Sequence, residues 1–323
     1  MKVIICSKLK ETDKKYFIGG WKIPYEELEN LGWKSIDYKE IAGVLSEFFI
    51  NKFGQLPQVL LFWNVIPSET HNLIYNNITD ILSHKWTKCI SIDDLHHREL
   101  HRKGKFEKLI LKNFDYIFPS YVYIFSKFFK TVSPKKLISC PHSINNKFVI
   151  AYNDNPINRI LLSGCSRGTI YPFRHYVRTL SLMKNDGIEA YPIDVLEHLT
   201  YKNPTHKYYG YEYITYLNKY IACVTCSAIS KLPYIVAKFF EIPASGSLLL
   251  ADDTHVKKVL EGLGFVDGEN YMSANSNNIK EKILFVTNPV NRKLIDKIRK
   301  NGYDFVWNNH TLMHRVKIIN ELC

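Results

Sequence analysis

Apolar positions along this chain come in short blocks. Val3–Cys6, Pro57–Val65 (PQVLLFWNV), Lys88–Ile92, Tyr116–Phe118 and Leu137–Cys140 are strand-length runs that are apolar throughout or nearly so. A run without strict alternation reads as a strand covered on both faces, as in a parallel sheet. Between these runs the spacing changes to helical, over Ile41–Phe53 and Tyr121–Lys130. Strand and helix taking turns predict a doubly wound α/β layer.

The polar stretch Tyr152–Asn158 (YNDNPIN, with Pro156) interrupts this rhythm and reads as a linker. The alternation then restarts. Arg159–Ser163, Ile188–Ile193, Ile221–Thr225 and Leu248–Ala251 are expected strands. A helix is expected from Pro172 and another over Pro233–Ala244, with proline in its first turn and Gly246 ending it. Asn288–Leu322 reads as helical with a break near Gly302. The expected architecture is therefore α/β with two Rossmann-like units, residues 1–152 and 153–307, followed by a last helix over 308–323. Such sheets bind ligands beyond the carboxyl ends of their strands, at switch points.

The chain has 323 residues, enough for about two ordinary domains. Its hydrophobic content of 46% and charged content of 23% suit a folded protein and argue against a disordered one. No apolar run approaches the ~20 residues of a membrane span. The net charge of +12 favours an anionic partner: a nucleotide diphosphate, a nucleic acid or an anionic membrane surface. The seven cysteines are odd in number, and Met1–Cys6 is too short for a signal h-region, so reduced thiols in a cytoplasmic protein are expected. Cys223 and Cys226 form a C-x-x-C with no second pair at zinc spacing, so no metal site is expected.

Candidate chemistry concentrates in three places. Lys238–Asp252 (KFFEIPASGSLLLAD) places Glu241 near the end of a helix, then Ser245 and Gly246, then an apolar strand. A carboxylate is a good acceptor for vicinal hydroxyls, and a glycine lets a backbone come close to a ligand. Lys238 reads as an exposed helix position. Ser163–Arg174 (SGCSRGTIYPFR) follows the first strand of the second unit. There Gly164 and Gly168 can turn N–H groups toward an anion, and Arg167 and Arg174 can meet phosphate oxygens. Ser230 and Lys231 are further phosphate candidates. In the first unit, Asp93, Asp94, His96, His97 and His101 follow a predicted strand. Asp94 with His96 or His97 could act as a general base on a hydroxyl. The same set has donor types suited to a metal, or could be a capped, solvated helix start. His142, after another strand, and Gly19 and Gly20, in a turn, are acceptor-side candidates.

The Glu241 segment resembles the glycosyltransferase family named for the spore-maturation protein CgeB, within the GT-B superfamily. Asn301–Gly302–Tyr303 followed by His310, Thr311 and Arg315 strengthens that resemblance. It covers the chain from Arg159 onward. It implies a GT-B fold, a nucleoside-diphosphate sugar (UDP-, GDP- or dTDP-linked) as substrate, no cofactor and no catalytic metal. Glu241 would accept hydrogen bonds from the donor ribose, and the Ser163–Arg174 turn would meet the diphosphate. His310, Thr311 and Arg315 would be structural. The implied reaction is transfer to a hydroxyl of a glycan, a lipid-linked sugar or a protein, with retention of configuration. One departure is plain: many retaining relatives carry an earlier glutamate where this chain has Pro233. Two other functions fit the charge. One is a DNA-base glucosyltransferase. The other is a non-catalytic protein that binds nucleic acid or a membrane surface on a degenerate transferase fold.

Overall fold

The computed structural model describes residues 1–8, 24–63, 69–93, 104–197, 208, 210–227 and 233–323. The chain divides into two compact units. One contains the chain up to Pro141 together with Met313–Cys323; the other runs over His142–Leu312.

The first unit is built on five parallel strands, β1 (Lys2–Cys6), β2 (Lys34–Asp37), β3 (Val59–Phe62), β4 (Thr87–Ile92) and β5 (Tyr116–Pro119), in the order β2-β1-β3-β4-β5. All four residues of β3 are buried, as a strand covered on both faces requires. β2 was not expected, because KSID carries only one apolar residue facing the interior, Ile36. Leu137–Cys140 forms no regular strand. It runs beside β5, where the Ile138 and Cys140 N–H groups donate to Ile117 O at 2.9 Å and Pro119 O at 3.1 Å. Helix α1 spans Leu45–Phe53 and begins later than its periodicity suggests. Its start is fixed by distant side chains: Asn77 Oδ1 accepts from Leu45 N at 3.0 Å and the Asp80 carboxylate from Ser46 N at 2.8 Å. These acceptors satisfy N–H groups that a helix end leaves open. Helix α2 is Val122–Phe128.

The second unit has β6 (Ile157–Gly164), β9 (Ile193–Glu197), β10 (Tyr220–Cys226), β11 (Leu248–Asp252) and β12 (Met272–Ala274) in a parallel sheet, order β12-β11-β10-β6-β9. The short strands β7 (Lys184–Asn185) and β8 (Ile188–Glu189) form a separate hairpin. The expected strand Ile188–Ile193 is thus split between β8 and the start of β9. A turn with positive φ at Asp186 and Gly187 makes the hairpin. All seven residues of β10 are buried. Cys223 packs with one cluster that includes Leu161, Leu249 and Phe239, and Ala222, Val224 and Cys226 pack with another that includes Leu162, Leu250 and Ile283. Cys223 and Cys226 therefore face opposite sides of the sheet and cannot share a metal ion.

Five helices matter below: α3 (Pro172–Ser181), α4 (Gly210–Asn218), α5 (Lys238–Ala244), α6 (Ile279–Thr287) and α7 (Arg292–Asn309). Helix α5 begins at Lys238, five residues after Pro233. Pro233, Tyr234 and Ile235 are buried in non-helical backbone, so their apolar side chains are placed by the core and not by a first helical turn. Helix α7 runs straight through Gly302. A Cβ there would stand 2.5 Å from the Asn270 carbonyl oxygen, so this glycine serves close packing and does not break the helix. The break comes at His310, after which α8 (Leu312–Leu322) begins.

The tail residues are structural within their own units. Tyr303 donates to Ile150 O at 2.6 Å, and Asn301 to Glu269 O at 3.0 Å. His310 stacks on Phe265 and bonds Leu263 O at 2.9 Å. In the first unit, Arg315 donates to Pro141 O at 3.0 Å, and Asn320 of α8 meets Lys2 and the Trp33 indole.

Candidate functional site

In the second sheet the chain goes from β6 to β9 on one side and then to β10 on the other. The carboxyl end of β6 is therefore the switch point, where a doubly wound sheet leaves a crevice. β6 ends at Gly164, paired with Glu197 of β9, and Leu162 pairs with Val224 of β10. Gly164 has φ +94°. A Cβ on it would come within 2.6 Å of Lys238 Cε and 3.6 Å of Arg174 Nη1. Two cations thus lie over one residue that has no side chain.

Arg174 is the only charged residue on the buried face of α3, beside Phe173, Val177 and Leu180. Its guanidinium stacks over the Tyr171 ring at 4.2 Å. It donates to Thr225 Oγ1 at 2.7 Å and more weakly to Cys165 O at 3.4 Å, while its Nε is buried without a hydrogen-bond partner. Among the described residues it forms no ion pair. A buried cation without a counter-charge is costly, and a bound anion would relieve that cost.

Lys238 and Glu241 stand three apart on α5 and so share a face. Their side chains are 15% and 14% exposed, with Nζ and Oε2 3.8 Å apart. Lys238 also bonds the Tyr213 hydroxyl, which Ser163 Oγ meets at 2.8 Å. Burial lowers the pKa of the Lys238 ammonium, but the Tyr213 oxygen and the Glu241 carboxylate outweigh it and hold the pKa above the ordinary lysine value. Burial pushes the Tyr213 phenol up, so it stays neutral at physiological pH. The cluster of Arg174, Lys238 and Glu241 therefore carries one net positive charge and presents hydrogen-bond donors beside a carboxylate acceptor. That combination suits a phosphorylated ligand with vicinal hydroxyls.

Of the expected donor-side residues, the fold brings Gly164, Arg174 and Glu241 together. Arg167 follows Gly164 in the turn but its side chain is exposed; its carbonyl accepts from Ile170 N at 3.0 Å and Tyr171 N at 2.8 Å. Ser245 and Gly246 go elsewhere. Helix α5 runs antiparallel to the strands, so its last residues and the turn into β11 stand at the amino ends of the strands, away from Gly164. Ser245 is buried, and its carbonyl accepts from Asn218 at 2.6 Å. Gly246 has φ +82° with the Tyr152 ring 3.1 Å from where a Cβ would be, and its carbonyl accepts from Arg299 at 3.1 Å. These two residues close the fold. Lys238 is a correction: it is largely buried and belongs to the cluster, where the sequence suggested an exposed position. Its spacing from Glu241 was the available signal; nothing local marked Tyr213 or Thr225. His142 is buried, 7% exposed. Asp94, His96, His97, His101, Gly19, Gly20, Ser230 and Lys231 lie outside the described residues. Among the described residues no group of three His, Cys, Asp or Glu side chains could hold a metal ion, and no helix is long and apolar enough to cross a membrane.

Comparison with known proteins gives the fold. Residues 199–321, less than half of the chain, match a family model described as glycosyl transferase-like. No curated protein matches the chain. A glycosyltransferase from Rickettsia africae ESF-5 superposes with a TM-score of 0.64 at 12% identity, covering 99% of this chain and 96% of that one. Anabaena Alr3699/HepE in complex with UDP and glucose superposes with a TM-score of 0.58 at 9% identity, covering 100% and 99%. An alpha-glucosyltransferase in complex with UDP-glucose and DNA containing an abasic site gives 0.58 at 12% identity, covering 99% and 98%. At these identities the likeness establishes the fold. The chain has the GT-B fold, with two parallel five-stranded sheets.

Proposed function

We propose that this protein is a glycosyltransferase that takes a sugar from a nucleoside-diphosphate donor and passes it to a hydroxyl. The observation that carries this reading is the buried Arg174 guanidinium at the β6 switch point, which has no ion-pair partner among the described residues and lies beside Lys238 and Glu241. The Arg174 and Lys238 cations receive the donor diphosphate, with Arg167 on the exposed side of the same turn. Glu241 accepts hydrogen bonds from the ribose hydroxyls. As the bond between the sugar and the diphosphate breaks, negative charge grows on the leaving phosphate. Cations already fixed in place stabilise that charge without reorganising. UDP is the first nucleotide to test, since the HepE structure holds it. Retention of configuration, and a glycan, a lipid-linked sugar or a protein as acceptor, follow from the CgeB-like resemblance. An acceptor-side base from Asp94, His96 and His97 belongs to the same proposal, as do Ser230 and Lys231 on the donor side.

The test is thermal unfolding with UDP, GDP, dTDP and CMP and their sugars, with Glu241→Ala as control. A ligand at about 100 times its Kd stabilises the native state by about 2.7 kcal/mol. One nucleotide family should raise Tm, and Glu241→Ala should remove the rise. No shift with any nucleotide would overturn the reading.

A second acceptor class has an observation in its favour. The alpha-glucosyltransferase superposes over nearly its full length, and this chain carries +12. DNA as acceptor requires binding that weakens steeply with salt. Salt-independent or absent DNA binding leaves glycan, lipid and protein acceptors.

A further inference from the structure

Seven thiols are free, and five of them are accounted for by burial or position. Cys6, Cys223 and Cys226 are buried in strands, and burial pushes the pKa of each thiol up. Cys140 is likewise raised, to about 11. Cys165 lies in the turn after β6. The pair left over is Cys89 and Cys323, whose sulfurs stand 3.2 Å apart although the residues are 234 positions apart in sequence. Cys89 is in the middle of β4, wholly buried; Cys323 follows α8 and is half-buried. The pairing is held by more than the sulfurs. Asn320, one turn earlier, accepts from Lys2 Nζ at 3.3 Å and from the Trp33 indole at 2.9 Å, which fixes the end of α8 against the first sheet.

We propose that Cys323 is an oxidant-reactive thiol and Cys89 its resolving partner, so that peroxide converts the pair to a reversible disulfide tying α8 to β4. The distance needs to close by only about 1.2 Å to reach bonding length. The two thiols differ in the direction that the chemistry requires. The hydrogen bond between the two sulfurs lowers the pKa of Cys323, with Lys2 helping, whereas the same bond and burial raise that of Cys89. Thiolate character and exposure select the attacking sulfur. In the first step the Cys323 thiolate attacks hydrogen peroxide; an S–O bond forms, the O–O bond breaks and hydroxide leaves, taking a proton to become water. In the second, Cys89 attacks the sulfenic sulfur; the S–S bond forms, the S–O bond breaks and the oxygen leaves as a second water with the Cys89 proton. Two thiols lose two electrons and the peroxide gains them. The product joins two residues 234 positions apart, and closing so long a stretch of chain restricts the unfolded state.

The experiment treats the full chain with stoichiometric hydrogen peroxide, quenches with an alkylating agent and maps peptides without reduction. A Cys89–Cys323 cross-linked peptide should dominate, disappear with dithiothreitol, and accompany a rise in Tm of about 5 °C or more. Cys89→Ala should let dimedone trap a sulfenic acid on Cys323, and Cys323→Ser should leave Cys89 unmodified. If either variant fails to fold, the native peptide map alone decides. Oxidation confined to other thiols, mixed pairings, or no oxidation at all under these conditions would overturn the proposal.

Discussion

The two ends of helix α5 make the sharpest contrast in the molecule. Ten consecutive residues, Lys238–Ser247, contribute charge at one end and backbone at the other. At the start, Lys238 and Glu241 meet Tyr213, Arg174 and Gly164 at the carboxyl ends of the strands. At the finish, Ser245, Gly246 and Ser247 satisfy or offer backbone groups: Ser247 Oγ donates to Leu217 O at 2.6 Å, and Arg299 closes on Gly246 O. Read as a string, both ends look like ligand chemistry. A helix antiparallel to its strands places them at opposite edges of the sheet, so only one of them can serve the switch point.

Substitutions can test that division. The largest expected effect is at the backbone end. Arg299 is fully buried, bonding Gly246 O, Asn153 O at 3.0 Å and Asp296 at 2.6 Å. Arg299→Ala should cost about 3 kcal/mol or more, visible as a large loss of Tm, with nucleotide affinity per folded molecule unchanged. An equal loss of affinity would show that the two ends are coupled.

Next come two identical changes with opposite readouts. Gly246→Ala forces positive φ and a contact with Tyr152, and should destabilise by about 1–2 kcal/mol while sparing binding. Gly164→Ala forces positive φ and displaces Lys238, so UDP should bind about tenfold more weakly. Should Gly246→Ala instead weaken UDP binding at unchanged stability, the sheet-edge assignment would be wrong.

Lys238→Met keeps the apolar stem and removes the charge. It should weaken nucleoside diphosphate binding by about tenfold or more, with uridine binding changed less than threefold. Titration calorimetry with both ligands separates a phosphate contact from a general disturbance of Glu241, which would weaken both.

The smallest effect is one of pH. The Cys223 thiol, packed in the core and bonded toward Leu217 O, is pushed up to about 12 from 9.0 by burial. A raised folded pKa means stability that is complete below pH 9 and falls as pH rises through that of the folded group. Melting temperatures measured from pH 8 to 11 should decline, and Cys223→Ala should flatten the decline. An unchanged slope in that variant would assign the alkaline loss to other groups, such as Tyr213.

Much of the fold was legible because a covered parallel strand must be apolar almost throughout. β1, β3, β4, β6, β10 and β11 announced themselves in that way. The exceptions have physical causes. β2 faces its neighbours with a single apolar residue, so no run marks it. Leu137–Cys140 is apolar enough for a strand but lies outside the regular ladder beside β5. Gly302 looked like a helix breaker, yet it is the residue that lets α7 touch the Asn270 backbone. The proline of Pro233 did not open a helix, because Tyr234 and Ile235 are held in the core.

The sequence by itself determined the layer type, the restart of the second unit and the residue types at the β6 turn, since these depend on local pattern and spacing. Only the tertiary structure decided which of those residues meet. Arg174 reaches Thr225 across 51 positions and Tyr213 reaches Lys238 across 25, distances over which a linear pattern carries no phase. Sheet order sets the switch point, and the direction of one short helix assigns its two ends to different edges.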